Sequence, residues 1–192
     1  MKDLSIRSLV LTALFSALFI VLSLQQMKLA SSVIPFTFQT LAVIIAGIFL
    51  KPRQAFLSIF IIVILGTIGL PIFGGKGGLA VVLGPTGGYI ISFSFCAMFI
   101  SIITNRFLKL TKPETMLQRA IYFLRLFVPY IIVSILFVHM IGSTWMMYVL
   151  DTSFLKALSL GSIPFIPGDL IKAAIGVILV LALPTTIRKT RA

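Results

Sequence analysis

Long apolar runs, separated by short polar stretches and by glycine and proline breaks, dominate this chain. They predict six segments, at about Ile6–Leu24, Pro35–Leu50, Arg53–Leu70, Pro85–Leu108, Leu117–Met146 and Asp169–Ile187. Runs of this length suit helices that cross a bilayer, whose hydrocarbon core needs roughly 20 apolar residues. The second run is short for a full crossing, and the fifth is long enough to tilt or to project beyond the bilayer. The first run, from Leu9 to Leu24, follows Lys2 and Arg7 as a secretory signal would. With no convincing cleavage site and more apolar runs after it, it reads as a retained helix.

Composition sharpens this picture. Of 192 residues, 59% are hydrophobic and 10% charged, with a mean hydropathy of +1.18, far from the balance of a water-soluble domain. The predicted class is an all-α polytopic membrane protein: one compact bundle of six transmembrane helices filling residues 1–192, with no soluble domain beside it. The net charge of +12 does not point to nucleic acid, because the basic residues flank apolar runs and form no continuous polar surface. They act as topology signals. With both termini cytoplasmic, that side holds Lys2, Arg7, Lys51, Arg53, Arg106, Lys109, Lys112, Arg119, Arg188, Lys189 and Arg191. The opposite side then holds Lys28, Lys76 and Lys156, the bias expected of a multi-pass protein in a bacterial-type cytoplasmic membrane. The lone Cys96 excludes an intramolecular disulfide and a zinc cluster, and reads as packing.

Candidate chemistry concentrates in Pro167-Gly168-Asp169-Leu170-Ile171-Lys172, where a chain break opens into an apolar run. A charge at the bilayer centre costs roughly 2.5–3.5 kcal/mol on insertion scales, so such residues face a partner, a ligand or water. Asp169 and Lys172, three apart on a helix, share a face. The alternative is that Asp169 caps the last helix while Lys172 extends to the headgroups. A second feature is Gly74-Gly75-Lys76-Gly77-Gly78 followed by Leu83-Gly84-Pro85-Thr86-Gly87-Gly88-Tyr89, which brings glycines and an aromatic to one mouth of the bundle. These glycines either admit close backbone approach to a ligand or only turn the chain. They form no phosphate loop, since Lys76 is followed by glycine and no strand precedes it.

Together with Pro35-Phe36-Thr37-Phe38-Gln39-Thr40-Leu41 and Pro164-Phe165-Ile166-Pro167-Gly168-Asp169-Leu170-Ile171-Lys172, the Gly74–Tyr89 stretch resembles the BioY family. These are the biotin-binding membrane subunits, or S components, of energy-coupling factor (ECF) transporters. Leu83–Tyr89 carries the most specific part of the likeness, which covers nearly the whole chain. The resemblance implies capture of biotin at the external face. It also implies work with an ECF coupling transmembrane subunit and two cytoplasmic ATPases, which would explain the missing nucleotide motif. No cofactor or metal is expected.

Biotin presents a ureido group with two N–H donors and a carbonyl acceptor, an apolar ring and a carboxylate tail. Asp169 accepts only and Lys172 donates only, so the pair can serve both edges of the ureido group. Gln39, the amide of its segment, either reaches the ligand or bonds a neighbouring helix. Tyr89 offers a ring face and a hydroxyl, or else anchors at the interface. Thr86 and the amides of Gly75, Gly78 and Gly87 are further candidates, and Lys76 can meet the carboxylate, modestly if solvent-exposed.

Helix 1 carries Ala13, Ser16 and Ala17, a small-residue stripe of the type that lets helices approach closely. It resembles the alanine motif with which S components dock on the coupling subunit, although internal packing explains the spacing equally well. His139 has no metal-ligand companion and reads as a packed histidine rather than a ligand or relay. Arg125 is expected near the cytoplasmic end of its helix, and Trp145 and Tyr148 in an aromatic belt. A short amphipathic helix around Asp151–Leu160 is a candidate lid over the external mouth. Two other classes compete with the transport subunit: a stand-alone small-solute carrier and an intramembrane enzyme. An enzyme is disfavoured by the lack of a Ser/His/Asp or metal constellation, and a carrier by the lack of a clear internal repeat.

Overall fold

The computed structural model describes residues 6–27, 32, 34–109 and 115–184. Lys2, Lys28, Lys112, Arg188, Lys189 and Arg191, and the expected end of the last segment at Ile187, lie outside the described residues. The chain begins with helix α1 (Ile6–Leu24) and a short antiparallel ribbon, β1 (Gln26–Met27) with β2 (Phe36–Thr37), in which Gln26 faces Thr37. Helices α2 (Gln39–Phe49) and α3 (Pro52–Thr67), a single turn α4 (Leu79–Val82) and α5 (Gly87–Leu108) follow. Helix α6 (Met116–Ile131) runs through a π-helical stretch, Ile132–Phe137, into α7 (Val138–Val149). Helix α8 (Phe154–Gly161), a 3₁₀ turn (Ile163–Phe165) and α9 (Ile166–Ala182) complete the described chain.

Four of these stretches are long and apolar enough to cross a membrane: Ile6–Leu24, Gly87–Leu108, Met116–Val149 and Phe154–Ala182. Gln39–Phe49 and Pro52–Thr67 are shorter apolar helices, so the six predicted segments each have a counterpart in this multi-pass bundle. The boundaries move for local reasons. Phe36 and Thr37 pair with β1, so the second helix starts at Gln39 rather than Pro35. Proline at the first position of α3 removes an N–H that has no helical partner. Thr115 accepts from the Gln118 N–H and the Gln118 side chain accepts from the Thr115 N–H, a reciprocal cap that starts α6. The last helix begins at Ile166, three residues earlier than expected, with Pro167 in its first turn.

Lipid tails are as apolar as leucine, so membrane helices associate through close packing and buried hydrogen bonds rather than hydrophobic contrast. Short α2 is the hub: eight of its eleven residues are buried, and it packs on α1, α3, α5 and α9. A Cβ on Gly47 would lie 2.6 Å from Ile100 and 2.8 Å from the Ala97 carbonyl, so α2 and α5 meet almost backbone to backbone. Gly176 plays the same part for α9, where a Cβ would lie 2.5 Å from Ile44 of α2. Hydroxyls add cross-links: Ser16 donates to the Ser58 carbonyl, Ser101 to the Leu50 carbonyl, and Thr104 shares a 2.6 Å bond with Tyr130. Helix α5 is interior, with 67% of its apolar window buried against 22% for α1, which leaves most of α1 to lipid.

The two ends of the bundle differ in charge. Arg7 at the start of α1, Lys51 and Arg53 between α2 and α3, Arg106 and Lys109 at the end of α5, and Arg119 in α6 are exposed at one end. Lys76 and Lys156 are exposed at the other. Arg125 is exposed about two and a half turns into α6.

Close approach at Gly47 predicts that Gly47→Val forces α2 and α5 apart. The expected loss is about 1–3 kcal/mol of stability, typical of overpacking, read as a lowered Tm of the detergent-solubilised protein.

Candidate functional site

The end of the bundle away from the basic cluster holds a cavity of about 370 Å³. Its apolar wall includes Phe73, Val81, Ile90, Phe93, Val138 and Phe165; its ionic groups are Asp169, Lys172, Lys76 and, when protonated, His139.

Asp169 and Lys172 lie one turn apart in α9, only 3% and 4% exposed. Lys172 Nζ donates to Asp169 Oδ1 at 2.8 Å and to the Thr37 carbonyl at 2.7 Å. It also sits 4.1 Å from the centre of the Phe36 ring, a cation–π contact that strengthens as water is removed. Phe36 reaches this place because Gly168 has no side chain: a Cβ there would lie 2.4 Å from the ring. Phe36 in turn stacks on Phe165 with a centroid separation of 6.3 Å. The β1–β2 ribbon and the start of α9 therefore clamp the lysine between them. Capping and snorkelling do not describe these residues. Asp169 lies inside the helix with both oxygens bonded to side chains, and Lys172 bends into the protein.

The second oxygen of Asp169 is held by His139, whose Nε2 lies 2.9 Å from Oδ2 while Nδ1 lies 2.9 Å from Ser162 Oγ. Ser162 also bonds Ser143 (2.7 Å) and Tyr89 (3.1 Å). One continuous polar chain thus runs Lys172, Asp169, His139, Ser162, Ser143 and Tyr89. Tyr89 fits because two glycines leave room: a Cβ on Gly142 would lie 2.2 Å from its ring, and one on Gly161 would lie 2.6 Å from its hydroxyl. Its position is interior, 6% exposed, and not at the interface.

His139 owes its orientation to the π-helical stretch. Tyr122, Leu126, Tyr130 and Ser134 are buried at steps of four; beyond them Val138, a step of four, and His139, a step of five, are both buried, so the inward face shifts along the chain. An α-helix turns about 100° per residue, so the extra residue in a π turn rotates all that follows. It sends His139, Gly142, Ser143 and Met146 inward and leaves Ile141 36% exposed.

Other expected residues divide. Gln39 lines the cavity with one N–H and one lone pair engaged: Nε2 donates to Ser23 (2.7 Å) and Oε1 accepts from Thr37 (3.0 Å). Ser23 is the hub of that corner, accepting also from the Gly74 N–H and donating to the Ile72 carbonyl. Thr86 lines the cavity with its hydroxyl 3.4 Å from the Val81 carbonyl. Lys76 lines the rim, exposed, with no ion-pair partner among the described residues. Gly75, Gly78 and Gly87 do not line it. Gly75 and Gly78 have φ of +79° and +93° and serve to turn the chain. The Gly78 amide donates to the Gly66 carbonyl, and the Gly87 amide to the Gly84 carbonyl. Gly74, Gly84 and Gly161 are the glycines in the wall.

On α1, Ala13 and Ala17 are exposed, but Ser16 is buried against α3 and belongs to the internal contact. Trp145 is half-buried and donates to the Gly84 carbonyl at 2.9 Å, clamping the loop before α5 rather than only marking an interface; Tyr148 is exposed. Helix α8 forms where a short helix was expected, but only Gly161, its last residue, lines the cavity, so it builds wall and not lid. Ser23, Ser143 and Ser162 escaped the sequence reading; His139, read as a packed histidine, is buried and hydrogen-bonded at both nitrogens but also lines the cavity. The one legible signal was the run of polar and small residues His139, Gly142 and Ser143 at helical spacing.

A multi-pass helical bundle with an apolar cavity, lined by a buried ion pair and open at one end, defines a membrane protein that accommodates a small amphipathic solute. Residues 1–189 match the BioY family, and the chain belongs to it. The "Biotin transporter BioY" of Rhizobium etli is 36% identical over 177 residues, covering 91% of each chain. The "Probable biotin transporter BioY" of Bacillus subtilis is 34% identical over 171 residues, covering 88% of this chain and 86% of that one. Among solved structures, the "S-component for biotin from an ECF-type ABC transporter" superposes with a TM-score of 0.79 at 28% identity, covering 94% of this chain and 92% of that chain.

Removing one partner of a buried ion pair is strongly destabilising, whereas replacing both by neutral groups is often tolerated. Lys172→Met should therefore lower stability by about 3 kcal/mol, and Asp169→Asn combined with Lys172→Met should recover most of it. Thermal unfolding of the ligand-free protein in detergent reads both.

Proposed function

We propose that this protein is the biotin-binding subunit of an ECF-type uptake transporter in a bacterial-type cytoplasmic membrane. The carrying observation is the buried Asp169–Lys172 pair on an apolar cavity whose rim bears Lys76. A carboxylate has about four lone-pair directions, and His139 and Lys172 take one each. The remainder can accept ureido N–H groups, while Lys172, or Tyr89, can donate to the ureido oxygen. Phe73, Ile90 and Phe93 suit an apolar bicycle. Two lysines and one aspartate give the lining a surplus positive charge, which suits a ligand with one carboxylate. Gln39 and Thr86 shape the wall; Gly75 and Gly78 act at a distance, as turns, and Gly87 opens α5.

The basic residues gathered opposite the cavity support an orientation with both termini cytoplasmic and the cavity external. Delivery inward then calls for an ECF coupling transmembrane subunit and two ATPase subunits. Exposed Ala13 and Ala17 on α1 supply the docking face, with Ser16 beneath it holding α1 to α3. The relatives carry the name transporter, which favours carriage over an intramembrane enzyme.

Calorimetric titration of the purified protein should show reversible binding of biotin without nucleotide and without chemical change, and a parallel titration with dethiobiotin ranks the two ligands. Absence of heat with both would sink the reading. Asp169→Asn should weaken biotin binding more than Lys76→Ala, because the first alters a desolvated contact and the second an exposed one. Ala13→Trp with Ala17→Trp should abolish co-purification with the coupling subunit while leaving biotin binding intact; retained assembly would remove the docking face.

A further inference from the structure

His139 is not one of the groups that the pair's chemistry requires, yet it is buried in the site with both ring nitrogens hydrogen-bonded. The residue is 7% exposed, its ring bridged at one nitrogen to Asp169 and at the other to Ser162, with the Tyr89 ring edge-on to it at a centroid separation of 5.8 Å. The groups facing it come from three other elements, Asp169 with Lys172 behind it on α9, Tyr89 on α5 and Ser162 before the 3₁₀ turn, with Ser143 of its own helix bonded to Ser162. The π turn aims it there at the expense of regular helical bonding.

A carboxylate turns easily about its terminal torsion, whose preferences are broad and two-fold. Lys172, three residues along the same helix, engages only Oδ1 and cannot by itself fix the plane. His139 pulls on Oδ2 from a different helix, at a distance within 0.1 Å of the lysine contact. Two donors from two helices fix the plane of the carboxylate, and with it the direction of the lone pairs left to the cavity.

We propose that His139 is a positioning residue of the ligand site, acting through Asp169 by orienting its carboxylate for the N–H donors of the bound head group. This rests on the biotin reading. The uncharged ring in its Nε2–H tautomer, with Nδ1 accepting from Ser162, and the protonated ring both donate from Nε2 to the carboxylate, so the role does not depend on a change of charge.

The test is a double-mutant cycle on biotin affinity, with parent, His139→Ala, Asp169→Asn and the combined variant titrated by calorimetry as purified full-length proteins. Contacting residues couple by roughly 0.5–3 kcal/mol, and each 1.4 kcal/mol is tenfold in affinity. His139→Ala should therefore weaken biotin about tenfold or more in the parent. In the Asp169→Asn background the same change should cost less than about threefold. His139→Gln, whose amide can still donate to Asp169, should recover part of the loss, whereas His139→Phe, which keeps the ring shape without the donor, should not. If His139→Ala does not yield folded protein, the Gln and Phe variants carry the same comparison. Equal losses in both backgrounds, or equal affinity of the Gln and Phe variants, would overturn the role while leaving the biotin reading intact. Failure of the parent to bind biotin would instead remove the reading on which it rests.

Discussion

A carboxylate buried in a low-dielectric bundle is the constraint around which the rest of this structure is arranged. Desolvating a charge costs several kcal/mol even after relaxation, and the cost is offset only by close, well-directed partners. Asp169 has two, Lys172 and His139, at 2.8 and 2.9 Å. Each partner has its own support: the Thr37 carbonyl and the Phe36 ring for the lysine, Ser162 for the histidine. Helices α7 and α9, the β1–β2 ribbon and the turn before α9 all meet at this carboxylate. Without a ligand the buried carboxylate therefore keeps its partners, and a ligand enters a site whose donors and acceptors are already aimed.

Glycine makes that convergence sterically possible. Gly168 admits Phe36, Gly142 and Gly161 admit Tyr89, and Gly47 and Gly176 bring α5 and α9 onto α2. In lipid, where burying another leucine adds little, such close approach is the main source of helix adhesion. The same device thus serves stability in the basic half of the bundle and ligand geometry in the other. The exposed apolar side chains, including Leu14, Val21, Leu136 and Ile178, then form the lipid-facing surface.

Regular secondary structure is interrupted where the site needs it. The π stretch Ile132–Phe137 turns α7 so that His139 and Ser143 face inward, and the 3₁₀ turn Ile163–Phe165 places Ser162 beside them. Tightened or widened turns of this kind are frequent at functional sites. Here they bring together polar residues that a continuous α-helix would have dispersed around its circumference.

Apolar run length, breaker residues and the distribution of lysine and arginine were enough to determine a six-segment membrane bundle and its charge asymmetry, because bilayer thickness and lipid polarity act directly on composition. The Asp169–Lys172 pairing was legible for a related reason: their spacing is local, and a three-residue step on any helix places them together. The His139 contact was not, since it depends on an i to i+5 step that hydrophobic periodicity does not announce, followed by a contact across thirty residues. Nor could sequence divide the glycines into those that line the cavity and those that turn the chain, or separate buried Ser16 from exposed Ala13 and Ala17. Those distinctions depend on which neighbour stands within a few ångströms, and only the packing of one helix against another decides that.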